Sequence, residues 1–323
     1  MILIITLNPL LERRFSYYKI HIGEVNRNSI DSVQAGGKGI NVSRQLKKIG
    51  IKSFNFFFSG GSNGKKFRES LKTEGLDFSF IHTKAETRHA AIAVSREDKK
   101  LTSFFSDNPE ITIEEVEEFK LKLEKMIQNC EMVIFSGSPP SLHTYSIIPF
   151  GIELANKFDK VSVCDTYGIN ILDCFNSSPT MIHNNISELE KSLSIELSNE
   201  ILILEFLKNL YGKNIKRSFL TNGGNTFYAS NFDYFYKVEP RKVKELDSTG
   251  SGDSFVAGLV YSWHRSHVFD ESLKFSTALA GLNASSSEVS QVSLESAVDL
   301  TDSVKIFPIG KKIKLIDDSP RQI

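Results

Sequence analysis

Short apolar runs alternate with amphipathic helical stretches along nearly the whole chain. That alternation limits the available folds more than any single motif does. Apolar or β-rich runs fall at 2–7, 53–58, 132–136, 161–164 and 218–221, and helical patterns at 64–73, 113–128, 145–157 and 200–210. Such runs read as strands buried on both faces, so the expected fold class is α/β, with a mostly parallel sheet between two helical layers. Two stretches break the pattern. Residues 15–22 and 88–105 are strand-like but mix polar with apolar positions, and could equally form a separate small sheet or an edge hairpin of the main one. At 323 residues the length admits one large α/β domain or two ordinary ones. No internal repeat is seen, and the charged stretch 311–323 reads as peripheral.

Composition excludes several classes of function. Lys and Arg number 39, as do Asp and Glu, so no net field draws in nucleic acid or an anionic membrane. No apolar run is long enough to cross a bilayer. The opening Met1-Ile-Leu-Ile-Ile-Thr-Leu lacks the basic lead of a signal peptide and reads as a buried first strand. Cys130, Cys164 and Cys174 have no metal-ligand spacing. They read as buried, reduced thiols, and the expected location is the cytoplasm.

Two glycine clusters carry the chemistry. In 247–258, Gly250-Ser251-Gly252 precedes Asp253 and an apolar helical run through Phe255, Val256, Leu259 and Val260. Glycines at such a turn let a ligand approach the backbone, and the free N–H groups opening the helix point at an anion. A carboxylate inside an anion cradle is electrostatically awkward unless it moves a proton. Asp253 therefore reads as a general base for a hydroxyl attacking a phosphoryl group. Upstream, Gly36-Gly37-Lys38-Gly39-Ile40-Asn41 opens a second helix that Gly50 can end. Here the glycines would let a sugar ring approach the main chain, with Lys38 and Asn41 as donors. The spacing is neither a Walker A loop nor a dinucleotide fingerprint.

Together the two clusters resemble the two signature segments of the PfkB carbohydrate kinase family, which includes ribokinase. Thr6-Leu7-Asn8-Pro9, Gly23 to Arg27, Thr87-Arg88, Ser136-Gly137-Ser138-Pro139, Asp165-Thr166-Tyr167-Gly168 and Asn185-Ile186-Ser187-Glu188 follow in the order of its 1-phosphofructokinase and tagatose-6-phosphate kinase subgroup. The resemblance implies a ribokinase-like three-layer α/β/α fold, one kinase domain over 1–323, and a small β-sheet lid from about 12–34 and 86–108. It implies ATP and Mg2+ as cofactors, and it admits a monovalent cation and a homodimer through the lid. Gly250, Ser251, Gly252 and Asp253 would be catalytic. Glu12, Arg27, Gly37, Lys38, Asn41, Arg88 and Ser138 would meet the sugar phosphate, with the arginines suited to its phosphate by their planar fork. His183, Asn185, Thr221, Gly223, Gly224, Gly250, Gly252 and Asn283 would face the nucleotide. Asn185 and Glu188 would hold the magnesium through water.

Blander readings stand beside these. Thr221-Asn222-Gly223-Gly224 lies at a strand's C-terminal end, where open α/β sheets bind ligands, yet it is also good hairpin sequence. The small-residue face of 275–285 suits an adenine ring, or plain helix packing. Asn185 and Glu188 also suit helix capping. Five positions depart from the subgroup's pattern: Glu12 where Asp is usual, His183 and Asn184 for Lys and Pro, Asp247 for Asn, and Thr226 for a glycine. His183 would supply part of the missing charge, or simply point to solvent from a loop. The functions in play are an ATP-dependent kinase for a ketohexose monophosphate (fructose 1-phosphate or tagatose 6-phosphate), a kinase for another sugar, and a weakened relative that binds sugar phosphate or nucleotide as a regulator.

Overall fold

The first strand sorts its side chains into two separate cores. In the computed structural model, which describes residues 1–98 and 100–309, β1 (Ile2–Thr6) is buried throughout. Leu3 and Ile5 pack on one side, Ile2 and Ile4 on the other. Side chains alternate across a strand, so a fully apolar strand must have a helical layer on each face. β1 is joined in parallel by β4 (Ser53–Ser59) and β8 (Met132–Ser136). Outward from these lie β5 (Asp77–His82) on one flank, and β9 (Val161–Asp165), β10 (Met181–Asn185) and β11 (Arg217–Thr221) on the other. β12 (Phe227–Asn231), β13 (Tyr234–Glu239) and β14 (Lys305–Ile309) extend this sheet antiparallel, giving ten strands in the order β14-β13-β12-β11-β10-β9-β8-β1-β4-β5.

The core with Leu3 and Ile5 is covered by α3 (Ile113–Gln128), α4 (Ile147–Lys157), α5 (Ile171–Asn176), α6 (Ile186–Leu193) and α7 (Glu200–Gly212). The opposite core is covered by α1 (Lys38–Lys48), α8 (Ser251–His264), α9 (Phe269–Ala284) and α10 (Leu294–Leu300). Among the helical expectations, 113–128 matches α3 end for end, because Thr112 and Glu115 form a capping box at its start. Gly50 follows α1 with a φ of 82°, the left-handed conformation expected of a helix stop. α2 (Gly61–Thr73) packs Phe67 and Leu71 against Phe57, Ile40 and Leu11.

The two strand-like stretches are not an edge hairpin of the main sheet. They build a separate four-stranded sheet, β3-β2-β6-β7, from β2 (Leu10–Tyr17), β3 (Ile30–Gly36), β6 (Arg88–Ser95) and β7 (Lys100–Phe105). β2 pairs antiparallel with β3 and parallel with β6, while β6 and β7 form a hairpin. The strand expected at 15–22 in fact begins at Leu10 and ends at Tyr17, after which residues 21–25 are exposed and Gly23 turns with φ 81°. All three cysteines are free and buried. Among the described residues no helix is long and apolar enough to cross a membrane. The stretch 311–323, read as peripheral, lies outside the described residues.

Candidate active site

The C-terminal ends of the parallel strands point at one region, where α1 and α8 also begin. Asp253, in the first turn of α8, is 5% exposed. Gly250 precedes it with φ 77°, and a Cβ there would stand 2.6 Å from Val289 Cγ1, so only glycine fits this turn. The amides of Gly252 and Asp253 carry no backbone hydrogen bond, while those of Ser251 and Ser254 are taken by Ser248 and Gly250 carbonyls. Two free N–H groups thus sit at a helix N-terminus beside a buried carboxyl.

A chain of contacts orients that carboxyl. Asn41 Nδ2 donates to Asp253 Oδ2 at 2.8 Å. Arg44 Nη1 donates to Asn41 Oδ1 at 2.8 Å, which fixes which end of the amide faces Asp253. Arg44 is itself held by Glu74 Oε2 at 2.7 Å and the Ala35 carbonyl at 2.8 Å. Gly39 belongs to this packing more than to any ligand. A Cβ on it would collide with Thr6 and Ile4 of β1, so the glycine lets α1 lie flat on the sheet. Gly37, the residue before α1, has a φ of 124° and abuts Thr6 and Pro9.

A second buried acid was not assigned a role from sequence. Asp165, at the end of β9, is 1% exposed and accepts from Ser136 Oγ at 2.6 Å and His183 Nδ1 at 2.9 Å. His183 is buried in β10, not in a solvent-facing loop. Its ring stacks on Phe255, and its Nε2 lies 3.2 Å from Thr221 Oγ1. Lys38 Nζ stands 3.8 Å from Asp165 and 3.1 Å from Glu188, over the Tyr167 ring. Burial lifts the Asp253 carboxyl to about 7, and the nearby Asp165 charge adds to this; Lys38, Asn41 and His183 pull the other way. Burial opposes the Asp165 charge too, but Lys38, His183 and Ser136 outweigh it and hold this carboxyl below the usual range. Burial likewise opposes the Lys38 charge, and Asp165, Glu188 and Asp253 overcome it, raising the ammonium above its ordinary value. The site therefore holds one fixed anion, one fixed cation and one acid that titrates near neutrality.

The four-stranded sheet is tied to the turn before α8 by Arg14, which donates to Asp247. Leu10, Glu12 and Arg14 share one side of β2, in register with Arg88, Ala90 and Ile92 of β6. Arg88 is anchored by the Asn8 carbonyl at 3.0 Å and Asn108 Oδ1 at 3.3 Å. Glu12 is buried and accepts from Gln34 at 2.9 Å. Arg27, by contrast, is exposed in the loop between β2 and β3 and makes no polar contact with the other candidates among the described residues. Ser138 is half-buried in the loop after β8, next to Gly137, whose Cβ would stand 3.8 Å from Lys38 Cβ.

On the other flank, Gly223 and Gly224 have open space where a Cβ would stand. They form the hairpin turn between β11 and β12, closed by Asn225 N to Asn222 O at 3.0 Å. Asn283 is 1% exposed; its Nδ2 donates to the Thr249 carbonyl and Ser251 Oγ, and its Oδ1 accepts from Ser290 N, so it braces the turn before α8. The small-residue helix face packs in part on α8: a Cβ on Gly258 would stand 2.6 Å from Ser276 Cα. Asn185 caps α6 by accepting from Ser187 N at 2.9 Å, and Glu188 takes both of its contacts from Lys38. No cluster of three His, Cys, Asp or Glu side chains among the described residues could hold a metal directly. Glu188, one-third exposed, offers a carboxylate that a hydrated Mg2+ would fit, sharing it with Lys38; the Asn185 oxygen is engaged in capping.

This geometry can be set beside known proteins. Residues 7–297 match the profile described as pfkB family carbohydrate kinase. The chain belongs to that family. A pfkB kinase transfers a phosphoryl group to a sugar hydroxyl, and relatives of this chain are named for sugar phosphates. It is 30% identical over 315 residues to a tagatose-6-phosphate kinase of Staphylococcus epidermidis, covering 96% of this chain and 100% of that one. In fold it is similar to a Thermotoga maritima protein described as a possible 1-phosphofructokinase, with TM-score 0.87, 22% identity, and 96% and 99% of the two chains covered. It is also similar to phosphofructokinase-2 of Escherichia coli in complex with potassium, with TM-score 0.84, 19% identity, and 94% and 98% covered. The ribokinase-like arrangement of a large, mostly parallel sheet, flanking helices and a small second sheet is thus shared across this pfkB group.

Proposed function

We propose that the protein uses ATP to phosphorylate a ketohexose monophosphate, with tagatose 6-phosphate and fructose 1-phosphate as the acceptors. The carrying observation is Asp253: a buried carboxyl poised near neutrality, held on one oxygen by Asn41, beside two free helix amides. The similarity to a tagatose-6-phosphate kinase supports the acceptor class. In this reading Asp253 takes the proton of the acceptor hydroxyl as its oxygen forms a bond to the γ-phosphorus, and the bond from that phosphorus to the bridging oxygen of ADP breaks. The amides of Gly252 and Asp253 face the charge on the transferring group. Lys38, kept cationic by Asp165 and Glu188, stands within the same field. Arg88 meets the phosphate already on the sugar, and Glu12 its hydroxyls. Thr221, Gly223, Gly224 and His183 flank the nucleotide, while Asn283 acts on it through the turn it braces. Magnesium bound through water at Glu188 would neutralise phosphate charge.

We also assign the residues to one kinase unit with its lid, acting in the cytoplasm, where the three buried free thiols stay reduced. The outer lid face exposes Val33 and Phe104, with Leu101 and Phe105 also exposed on the same sheet, which supports a homodimer through the lids.

ATP turnover against a panel of phosphorylated and free ketohexoses, in potassium and in sodium, tests the reading. Asp253→Asn is expected to lower kcat by roughly 10²–10⁴ with nucleotide binding intact. Arg88→Ala is expected to raise KM for the sugar phosphate roughly ten- to a hundredfold while sparing ATP. Near-normal turnover by Asp253→Asn would remove the base. Ligand binding with no turnover of any sugar would make the protein a sugar-phosphate sensor instead.

A further inference from the structure

Two of the positions that depart from the subgroup's pattern meet at one side chain. Arg14, on the inner face of β2, lies 2.8 Å from Glu12 Oε1 through Nε and 2.8 Å from Asp247 Oδ2 through Nη2. The three side chains are only 10–14% exposed. The contact to Asp247 has hydrogen-bond geometry; that to Glu12 is an ion pair without the alignment of a hydrogen bond. The remaining oxygens are used differently. Asp247 Oδ1 accepts from Thr249 N at 2.9 Å and so shapes the turn that runs into Gly250 and α8. Glu12 Oε2 has no protein partner among the described residues and hangs over Gly36, 3.3 Å from where a Cβ there would be. Gly36 leads directly into Lys38 and α1.

The charges balance only as a set. Two nearly buried carboxylates facing one another without a cation would repel, and one would take up a proton. Burial does oppose the Asp247 charge, but Thr249 and Arg14 hold that carboxyl below the usual range. Arginine is suited to the task, because its fork reaches two acids at once and it stays charged when desolvated. The contact also spans 233 residues of sequence, joining the lid strand to the turn that carries the base.

We propose that Arg14 is a specificity-determining positioning residue. By bridging Glu12 and Asp247 it holds Glu12 Oε2 over the glycine turn for a sugar hydroxyl, and it ties the lid to the Asp253 turn. The longer acid at position 12 and the acid at position 247 then form one unit with Arg14, in place of a shorter acid acting alone. This rests on the kinase reading, since it takes Glu12 to face the acceptor.

The test uses full-length wild type, Arg14→Ala, Arg14→Lys, Asp247→Asn and the double variant Arg14→Ala/Asp247→Asn. In steady-state kinetics, Arg14→Ala is expected to raise the acceptor KM roughly ten- to a hundredfold, the range for losing a charge-assisted contact. The ATP KM is expected to stay within about twofold, since the nucleotide makes no use of Glu12. Arg14→Lys keeps the charge but not the fork and should recover part of the loss. The double variant should lose less than the product of the two single losses, because both remove one contact. A folded Arg14→Ala enzyme with unchanged acceptor KM, or with both KM values raised alike, would overturn the inference. Hydrogen exchange without ligand supplies a second readout that needs no turnover. Arg14→Ala should speed exchange in both 10–17 and 244–250 while sparing 181–185, and faster exchange in only one of the two segments overturns the tie. An inert wild type would defeat the kinase reading, and the exchange result would then decide whether Arg14 joins lid and turn.

Discussion

As the proposed general base, Asp253 would meet two opposed demands. A general base works best when its pKa lies near the working pH, yet a carboxyl lifted to about 7 by burial is destabilising once ionised. Because its folded value exceeds its unfolded one, its favourable share of stability is complete below about pH 4 and is lost as pH rises through about 7, on the order of 4 kcal/mol over that window. Asparagine has no such titration. Asp253→Asn should therefore be more stable than wild type by a margin that widens from pH 4 to 7 and then levels off, as measured by urea unfolding at each pH. A margin that does not change with pH would mean that the carboxyl is not strained by ionisation. Arg44 bears on the same group without touching it. Arg44→Lys keeps a cation against Glu74 but cannot hold Glu74, the Ala35 carbonyl and Asn41 together. With the Asn41 amide no longer fixed, the ionised carboxylate loses a donor and its pKa rises. The acid limb of kcat/KM, expected near pH 7 in wild type, should then move to higher pH; an unmoved limb would sever Arg44 from the base. The placement of Asp253 at a glycine turn opening a helix could be read from sequence because that turn is local. Arg44, Asp165 and Arg14 could not, because their partners stand far along the chain: Glu74 is 30 residues from Arg44 and Asp247 is 233 from Arg14.

Strands were legible where they were apolar and opaque where their polar residues were paired across the sheet. β1 and β8 announce themselves, and α3 shows its capping box in plain sequence. β10 does not, because Met-Ile-His-Asn-Asn has no strand pattern of its own. It is a core strand only because Asp165 takes up His183 and the Thr166 carbonyl takes up Asn184 at 2.6 Å. The lid strands were visible, and the family resemblance implied their separate sheet, but their residues alone did not distinguish it from an edge hairpin, since β2 finds β6 across a long stretch of chain. Helix placement has a test of its own. α8 and α9 approach so closely at Gly258 that a side chain would strike the backbone of Ser276. Gly258→Val should cost about 1–3 kcal/mol by overpacking and displace the N-terminus of α8, lowering both thermal stability and kcat. A neutral substitution, by calorimetry and kinetics, would show that the two helices can part without consequence.

At the scale of the whole molecule, the proposed lid would link two jobs. Its inner face carries Glu12, Arg14 and Arg88, while its outer face exposes Val33 and Phe104. A charge at Phe104 should therefore disrupt self-association and leave the fold of the main sheet intact. Phe104→Glu is expected to sediment as a monomer where wild type sediments as a dimer, with the same circular dichroism. Wild type that is monomeric at micromolar concentration would remove the dimer.

The three buried cysteines make the molecule a clock for its own opening. Burial pushes the Cys130 thiol up to about 11, and the contact with Cys174, then burial, hold Cys164 well above the ordinary thiol value. A thiol reagent needs both access and thiolate; the fold gives access to none of the three and also disfavours the thiolate at Cys130 and Cys164. Labelling should then proceed only through transient exposure, at a rate set by how often the sheet or its helical cover comes apart. Cys164 and Cys174, under the helical layer beside β9, and Cys130, near the start of β8, would report on separate regions. Saturating sugar phosphate and nucleotide should slow all three thiols if the molecule opens as one, and only the pair near the site if it opens in parts.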